Sequence, residues 1–118
     1  MSDASLDRAP QDDRAHNQFV IEQDGSTAVL VYRVVPGRMT LVHTEVPSEV
    51  AGRGFAGRLV RAAVDRAAAE NLTVVPWCPY ARKWLRTHPD AAKTVAIDWS
   101  DRPPSFARAP EEDTAAEP

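Results

Sequence analysis

The 118-residue sequence has one cysteine, no long apolar run and no excess of basic charge. A single cysteine cannot form an internal disulfide. No stretch approaches the roughly 20 apolar residues that span a bilayer, and the N-terminus has no apolar signal-peptide region. The net charge of −3 gives no electrostatic reason to expect a nucleic acid partner. We therefore expect a soluble cytosolic protein that binds neither nucleic acid nor membrane.

The chain is expected to form one small domain between two polar tails. Its hydrophobic content of 43% suits a single core at this length. Residues 1–15 are polar and lack periodicity, which predicts a disordered N-terminal tail. Residues 101–118 are rich in proline and acidic residues and predict a second tail. The domain itself is predicted to span residues 16–100.

Hydrophobic periodicity and turn signals predict the elements of this domain. Strands are expected at residues 18–23, 28–35, 38–46, 72–76 and 95–99, and helices at about 54–70 and 79–87. In the third strand, alternation predicts one shared face for Met39, Leu41, His43 and Glu45. This order is an antiparallel β-meander followed by β-α-β-α, so we expect an α+β (mixed α/β) fold with helices packed on a central sheet.

Glycine is scarce, and three of the five glycines fall between residues 52 and 57. The segment reads Gly-Arg-Gly-Phe-Ala-Gly, so little side-chain bulk lies beside its backbone. Residues 58–67 follow with apolar side chains at a helical spacing. A glycine-lined turn that opens a helix offers unpaired N–H groups and the positive end of the helix dipole to an anion. We predict that this segment, the glycine loop, binds a phosphate or a pyrophosphate.

Two common phosphate-binding motifs share parts of this spacing, and neighbouring residues exclude both. The dinucleotide fingerprint needs a strand running directly into the first glycine and an acidic residue about 20 positions later. Here residues 46–51 separate the strand from the first glycine. The strand at 72–76 is followed by Trp77 and Cys78 and not by an acidic residue. A Walker loop needs Lys and then Ser or Thr after its last glycine, whereas this chain has Arg58 and Leu59.

Residues 51–56 resemble the Q/R-x-x-G-x-G/A loop of the GNAT acetyltransferase superfamily. Residues 43–47, 74–80 and 86–89 follow the order and spacing of a group of short single-domain GNAT-like proteins, so the resemblance covers roughly residues 16–100. It implies a GNAT-like fold, acetyl-CoA as cosubstrate, a small-molecule or protein amine as acceptor, and no metal. One departure is Ala51, where the superfamily has Gln or Arg.

The resemblance also implies where the cosubstrate lies. The third strand and the strand after the first helix should diverge, so that main-chain groups of residues 42–46 pair with the pantetheine amides. The glycine loop would then hold the pyrophosphate. Cosubstrate contacts are expected from Thr44, Val46, Arg53, Gly54, Phe55, Ala56, Gly57 and Arg58. Arg82 on the second helix is a candidate for the 3′-phosphate of CoA, although a solvated charged face explains it as well.

Four residues are candidates for chemistry. Cys78 precedes a helix-starting proline, a position that favours the thiolate; it can accept the acetyl group, protonate the departing CoA thiolate, or simply be a small buried residue. His43 and Glu45 can act as a base with an orienting carboxylate. The resemblance makes Glu45 a candidate base in its own right, and Tyr80 a proton donor whose ring can equally serve in packing.

The favoured function is an N-acetyltransferase that moves the acetyl group of acetyl-CoA to a primary amine. The alternative is a CoA-binding sensor or interaction domain without transferase activity, because so short a domain has few residues for an acceptor pocket. A third possibility is a structural protein in which the glycine loop only allows close helix packing.

Overall fold

The computed structural model describes residues 9–103. Five strands form one sheet in the order β1-β2-β3-β4-β5. The strands are β1 (Gln11–Asp13), β2 (Gln18–Gln23), β3 (Ser26–Val35), β4 (Arg38–Glu45) and β5 (Thr73–Pro76), and the helices are α1 (Phe55–Glu70), α2 (Pro79–Thr87) and the short α3 (Pro89–Ala92). The first four strands are antiparallel and β5 is parallel to β4. The predicted α+β fold is confirmed.

A single hydrophobic cluster joins one face of the sheet to the helices. Alternation along β2, β3 and the start of β4 buries every second side chain, such as Ile21, Leu30 and Leu41, each fully buried. The predicted apolar stripe of α1 is also buried, from Leu59 to Ala67. All three helices contribute to this cluster, so the sheet has a helical face and an opposite, outer face.

The ends of the helices agree with the sequence. Gly54 is the N-cap of α1, and Asn71 ends this helix in the left-handed region at φ 57°, as the C-cap predicted from its position. The Leu72 N–H donates to the Ala67 carbonyl at 2.8 Å and satisfies one of the last helical carbonyls. Pro79 occupies the first turn of α2, where its missing N–H costs no hydrogen bond.

Part of the predicted N-terminal tail is ordered, so this prediction is wrong for residues 11–15. Gln11–Asp13 pair with β2 as an edge strand, and a short 3-10 helix follows at Arg14–His16. Arg66 of α1 donates to the Asp12 carboxylate at 3.0 Å and to the Tyr32 hydroxyl at 2.8 Å. These partners are far away in the chain, which is why local composition did not reveal the strand. Residues 1–8 and 104–118, which include most of both predicted tails, lie outside the described residues.

The strand predicted at residues 95–99 is reduced to a single parallel bridge between Val74 and Ile97. Two main-chain bonds accompany this bridge, from the Val74 N–H to the Ala96 carbonyl at 2.8 Å and from the Asp98 N–H to the Val74 carbonyl at 2.9 Å, and side chains add further contacts. Arg38 donates to the Asp98 carboxylate at 2.7 Å, and the same carboxylate accepts from the N–H of Ser100 at 3.0 Å. These bonds keep the pKa of Asp98 well below its usual range, with the Arg38 hydrogen bond as the largest cause. The segment is therefore an ion-paired strap rather than a strand.

Candidate functional site

The two central strands separate at the middle of β4. Pairing between β4 and β5 ends at Leu41 and Pro76. The N–H groups of Trp77 and Cys78 both donate to the Leu41 carbonyl, at 3.1 and 2.9 Å, and the chain then turns into α2. Residues 42–45 continue β4 with no strand partner on this edge within residues 9–103. The divergence implied by the resemblance is present, and it leaves main-chain groups able to pair with an extended amide.

The glycine loop opens α1 with free backbone donors. Gly54 has φ +82°, a left-handed conformation that glycine adopts without the steric cost other residues meet. The first helical hydrogen bond runs from the Arg58 N–H to the Gly54 carbonyl at 3.1 Å. The N–H groups of Phe55, Ala56 and Gly57 therefore have no helical acceptor. Together with the helix dipole, they form a site suited to an anion.

A cavity of ≈ 280 Å³ lies between this loop, the end of β4 and the start of α2. It is lined by Val46, Ala51, Gly52, Gly54, Phe55, Ala56 and Tyr80. This cavity thus extends from the free N–H groups to Val46, the residue that follows β4. Five of the residues expected to contact the cosubstrate or do chemistry line this cavity. Before the structure, only the family resemblance indicated that these residues lie together.

Two arginines give this end of α1 a positive charge. Arg58 lies over the Phe55 ring with its guanidinium carbon 4.8 Å from the ring centroid, and Arg53 approaches the same ring at 5.9 Å. Arg53 also donates to the Asp24 carboxylate of the β2–β3 turn at 2.8 Å. This ion pair connects the glycine loop to the hairpin, so the Arg53 charge is partly offset while it helps hold the loop in place.

A β-bulge changes which face of β4 carries the candidate base. Val31 pairs with His43, whereas the next residue, Tyr32, pairs with Leu41, so Val42 is an extra residue in β4. The prediction that His43 and Glu45 share the face of Leu41 is wrong, because the bulge reverses the alternation after Leu41. The two side chains are exposed, with 3.5 Å between the His43 Nε2 and the Glu45 Oε2 atoms. They lie together, as expected, but on the outer face of the sheet.

The same bulge turns Thr44 toward the core side. Its Oγ1 lies 3.3 Å from the Sγ of Cys78, a thiol that is only 3% exposed. Since neighbouring residues of a strand point to opposite faces, His43 points away from Cys78. The hydroxyl of Thr44 was missed as a partner for the thiol, because no local signal in the sequence indicates a bulge at Val42.

Tyr80 lies in the first turn of α2, beside the glycine loop. A Cβ atom built on Gly57 would lie 3.6 Å from the Tyr80 hydroxyl, which places this hydroxyl close to the first turn of α1. Burial, and secondarily the negative charge that Cys78 can carry, raise the pKa of Tyr80 above its usual value. The phenol thus keeps its proton at neutral pH and is available as a hydrogen-bond donor.

A second cavity, of ≈ 470 Å³, adjoins the first at Val46. It is lined by Thr27, Thr44, Glu45, Val46 and Pro47. Glu45 therefore lines a cavity that lies next to the strand opening and does not include the glycine loop. The two adjoining cavities can receive two molecules side by side.

Arg82 does not project into either cavity. Its guanidinium donates to the carbonyls of Pro76 and Trp99, each at 3.1 Å, and lies 5.7 Å over the Trp99 ring. Burial, and then the neighbouring charges of Arg102 and Arg86, lower its pKa. Arg82 joins α2 to β5 and to the strap at residues 95–99, and this position gives no support to the prediction that it binds the 3′-phosphate of CoA.

Within residues 9–103, no three His, Cys, Asp or Glu side chains are grouped so that they could hold a metal ion. The helices of this part of the chain are also too short or too polar to cross a membrane.

Comparison with known proteins identifies relatives of this chain. Residues 18–95 match the family described as GCN5-related N-acetyl-transferase. Protein NATD1 of Homo sapiens is 39% identical over 80 residues, which cover 65% of this chain and 71% of that protein. Protein NATD1 of Danio rerio is 40% identical over 81 residues, covering 65% of this chain and 73% of that protein. The solution structure of a GCN5-like protein from Staphylococcus aureus aligns with a TM-score of 0.59 at 23% identity, over 82% of this chain and 95% of that one.

Proposed function

The chain belongs to the GCN5-related N-acetyltransferase family, and we propose that it binds acetyl-CoA and transfers the acetyl group to a primary amine. One observation carries this proposal: the cavity at the free N–H groups of α1 meets, at Val46, the space beside Thr44 and Glu45, where β4 has separated from β5. An extended amide chain ending in a pyrophosphate needs these two features side by side.

In this proposal the pantetheine amides pair with the unpartnered edge of residues 42–45. The pyrophosphate lies against the N–H groups of Phe55, Ala56 and Gly57, where Arg58 adds positive charge. Val46 and Thr44 lie beside the path from the pantetheine amides to the pyrophosphate. The thioester would then lie near Thr44, which lines the second cavity and contacts Cys78.

The acceptor amine would enter through the second cavity, where Glu45 is exposed. Glu45, with His43 beside it, would take a proton from the ammonium group so that a neutral amine can attack the thioester carbonyl. The new C–N bond forms as the carbonyl oxygen gains negative charge, and a main-chain N–H of residues 44–46 would stabilise this oxyanion. The C–S bond then breaks, CoA departs as a thiolate, and the amine nitrogen loses its second proton to solvent to complete the amide.

Protonation of this thiolate is the role proposed for Tyr80 or Cys78. Tyr80 keeps its proton at neutral pH and lines the cosubstrate cavity. Cys78 lies against Thr44 and is buried. We favour direct attack by the amine over an acetylated Cys78, since a positioned thioester already reacts readily with an amine. The outward position of His43 supports this route, in which His43 does not act as a base for the Cys78 thiol.

The test combines binding, turnover and mass. Calorimetry with acetyl-CoA, release of free CoA in the presence of a panel of amines, and intact-mass spectrometry after incubation with acetyl-CoA should show binding, amine-dependent release and an unmodified protein. Binding without release for any amine would favour the sensor or interaction domain. No binding at millimolar acetyl-CoA would refute the proposal.

A further inference from the structure

Cys78 is buried behind the strand opening rather than exposed in it. The residue is only 3% exposed and lines neither of the two cavities described above. Its main chain is fixed on both sides, because its N–H donates to the Leu41 carbonyl at 2.9 Å and its own carbonyl accepts from the Arg82 N–H at 3.0 Å. A molecule in these cavities therefore does not contact the thiol directly.

Thr44 lies between the thiol and the second cavity. It is half-buried and lines this cavity, and its Oγ1 atom is 3.3 Å from the Cys78 Sγ atom. The β-bulge at Val42 gives Thr44 this orientation. A hydroxyl can accept one hydrogen bond and donate another at the same time. Thr44 thus connects the buried thiol to the space in which the proposed function places the thioester.

Tyr80, the other candidate proton donor, lies elsewhere along the cosubstrate. It lines the cavity at the glycine loop, and its hydroxyl is 3.6 Å from the position of a Cβ atom on Gly57, in the first turn of α1. It does not line the second cavity. Since the pyrophosphate is proposed to bind at this first turn, Tyr80 lies toward the pyrophosphate and Thr44 toward the thioester.

We propose that Thr44 relays a proton from the Cys78 thiol to the departing CoA thiolate. The inference rests on the proposed function and assigns one proton transfer within it. The Thr44 O–H bond breaks as the S–H bond of CoA forms, and the Cys78 S–H bond breaks as the Thr44 O–H bond is restored. Cys78 is left as a thiolate at the N-cap of α2, where the helix dipole favours negative charge. After CoA leaves, this thiolate recovers a proton from solvent through the same hydroxyl.

Infrared spectroscopy of the protein without ligand tests the first hydrogen bond of this relay. Cys78 is the only cysteine of the chain, so the S–H stretching band belongs to it alone. In the relay the Cys78 S–H donates to the Thr44 oxygen, which lowers the frequency of this stretch. Thr44→Val removes the acceptor and should raise the frequency, whereas Thr44→Ser should leave it close to that of the wild-type protein. An unchanged band in Thr44→Val would overturn the inference.

Steady-state kinetics test the transfer itself. Release of CoA from acetyl-CoA is followed with three primary amines: ethylamine, 1,4-diaminobutane and a lysine-containing peptide. Thr44→Val should lower kcat by about 10- to 100-fold, as expected for a lost proton donor, and change the KM for acetyl-CoA by about twofold or less. Thr44→Ser keeps the hydroxyl and should recover most of the kcat. The double variant Thr44→Val/Cys78→Ala should be no slower than the slower single variant, because both changes interrupt one relay.

Thr40→Val is the matched control, because Thr40 is a threonine of the same strand that lies where β4 still pairs with β5. This variant should keep the wild-type kcat. Thermal unfolding checks that each variant is folded.

A wild-type kcat in Thr44→Val, losses that multiply in the double variant, or a larger loss in Tyr80→Phe than in Thr44→Val would overturn the inference and leave the proposed function intact. No release of CoA by the wild-type protein with any of the three amines would instead refute the proposed function, and the inference with it.

Discussion

The substitution Gly54→Ala separates the role of the glycine loop in binding from its role in folding. Gly54 has φ +82°, and a Cβ atom placed on it would meet no protein atom within 4 Å. The added methyl group therefore causes no clash in the free protein. Its cost in stability is the left-handed backbone strain of an L-residue, about 1–2 kcal/mol. In a domain of this size that corresponds to a loss of roughly 4–16 °C in Tm.

The effect on the ligand should be larger than this strain. The Cβ atom would lie beside the free N–H groups of α1, in the space where the proposed function places the pyrophosphate. Loss of one hydrogen bond to a charged group costs about 1.5–3 kcal/mol, so the affinity for acetyl-CoA should fall by roughly 10- to 100-fold.

Gly37→Ala is the matched control for this prediction. Gly37 lies in the β3–β4 turn with φ +77° and also has nothing within 4 Å of a Cβ atom. The two variants should lose similar amounts of Tm in thermal unfolding, but only Gly54→Ala should lose affinity in calorimetry. If Gly54→Ala binds acetyl-CoA as tightly as Gly37→Ala does, the loop is not the phosphate site and the reasoning fails.

Three further predictions follow from other parts of the structure. Cys78→Ala should lower turnover by about 10- to 100-fold at most, as expected for a lost proton donor; complete inactivity, together with a hydroxylamine-sensitive acetyl adduct on the wild-type protein, would instead establish a covalent route. Gly57→Ala should lower stability by about 1–2 kcal/mol in thermal unfolding, because its Cβ would lie 3.0 Å from the Trp84 Nε1 atom; an increase in Tm would show that the indole moves freely and that helix propensity dominates. Asp98→Asn should lower Tm at neutral pH, because Arg38 and Ser100 hold the folded-state pKa of this carboxyl below its unfolded value. This stabilisation is complete above the unfolded pKa of about 3.9 and is lost as the pH falls through the folded pKa, so the difference in Tm between wild type and variant should narrow below about pH 4; a constant difference down to pH 3 would contradict the assignment.

Local signals in the sequence were sufficient for most of the fold. The limits of α2 were predicted from the proline at its start and the proline after its end, and α1 from its apolar spacing and from Asn71 as its C-cap. These features act within one or two turns of the chain, where propensity and capping dominate. The glycine loop and its free N–H groups could also be predicted, because every α-helix leaves its first N–H groups without a helical acceptor.

The edge strand β1 and the strap at residues 95–99 could not be predicted in this way. Asp12 is held by Arg66 and Tyr32, and Asp98 by Arg38, across 54, 20 and 60 positions of the chain. Such long-range partners leave no periodic pattern in the segments that they order. Composition therefore indicated a tail in one case, and a short apolar run indicated a full strand in the other.

The sequence by itself determined that a helix opens on a glycine-lined turn with free N–H groups, and it supplied the residues of the candidate chemistry. Only the tertiary structure decided how these residues face one another. The bulge at Val42 turns Thr44 toward Cys78 and moves His43 and Glu45 to the outer face of the sheet. A bulge arises from the pairing of two strands rather than from the residues of one, and a single extra residue reverses every side chain that follows it.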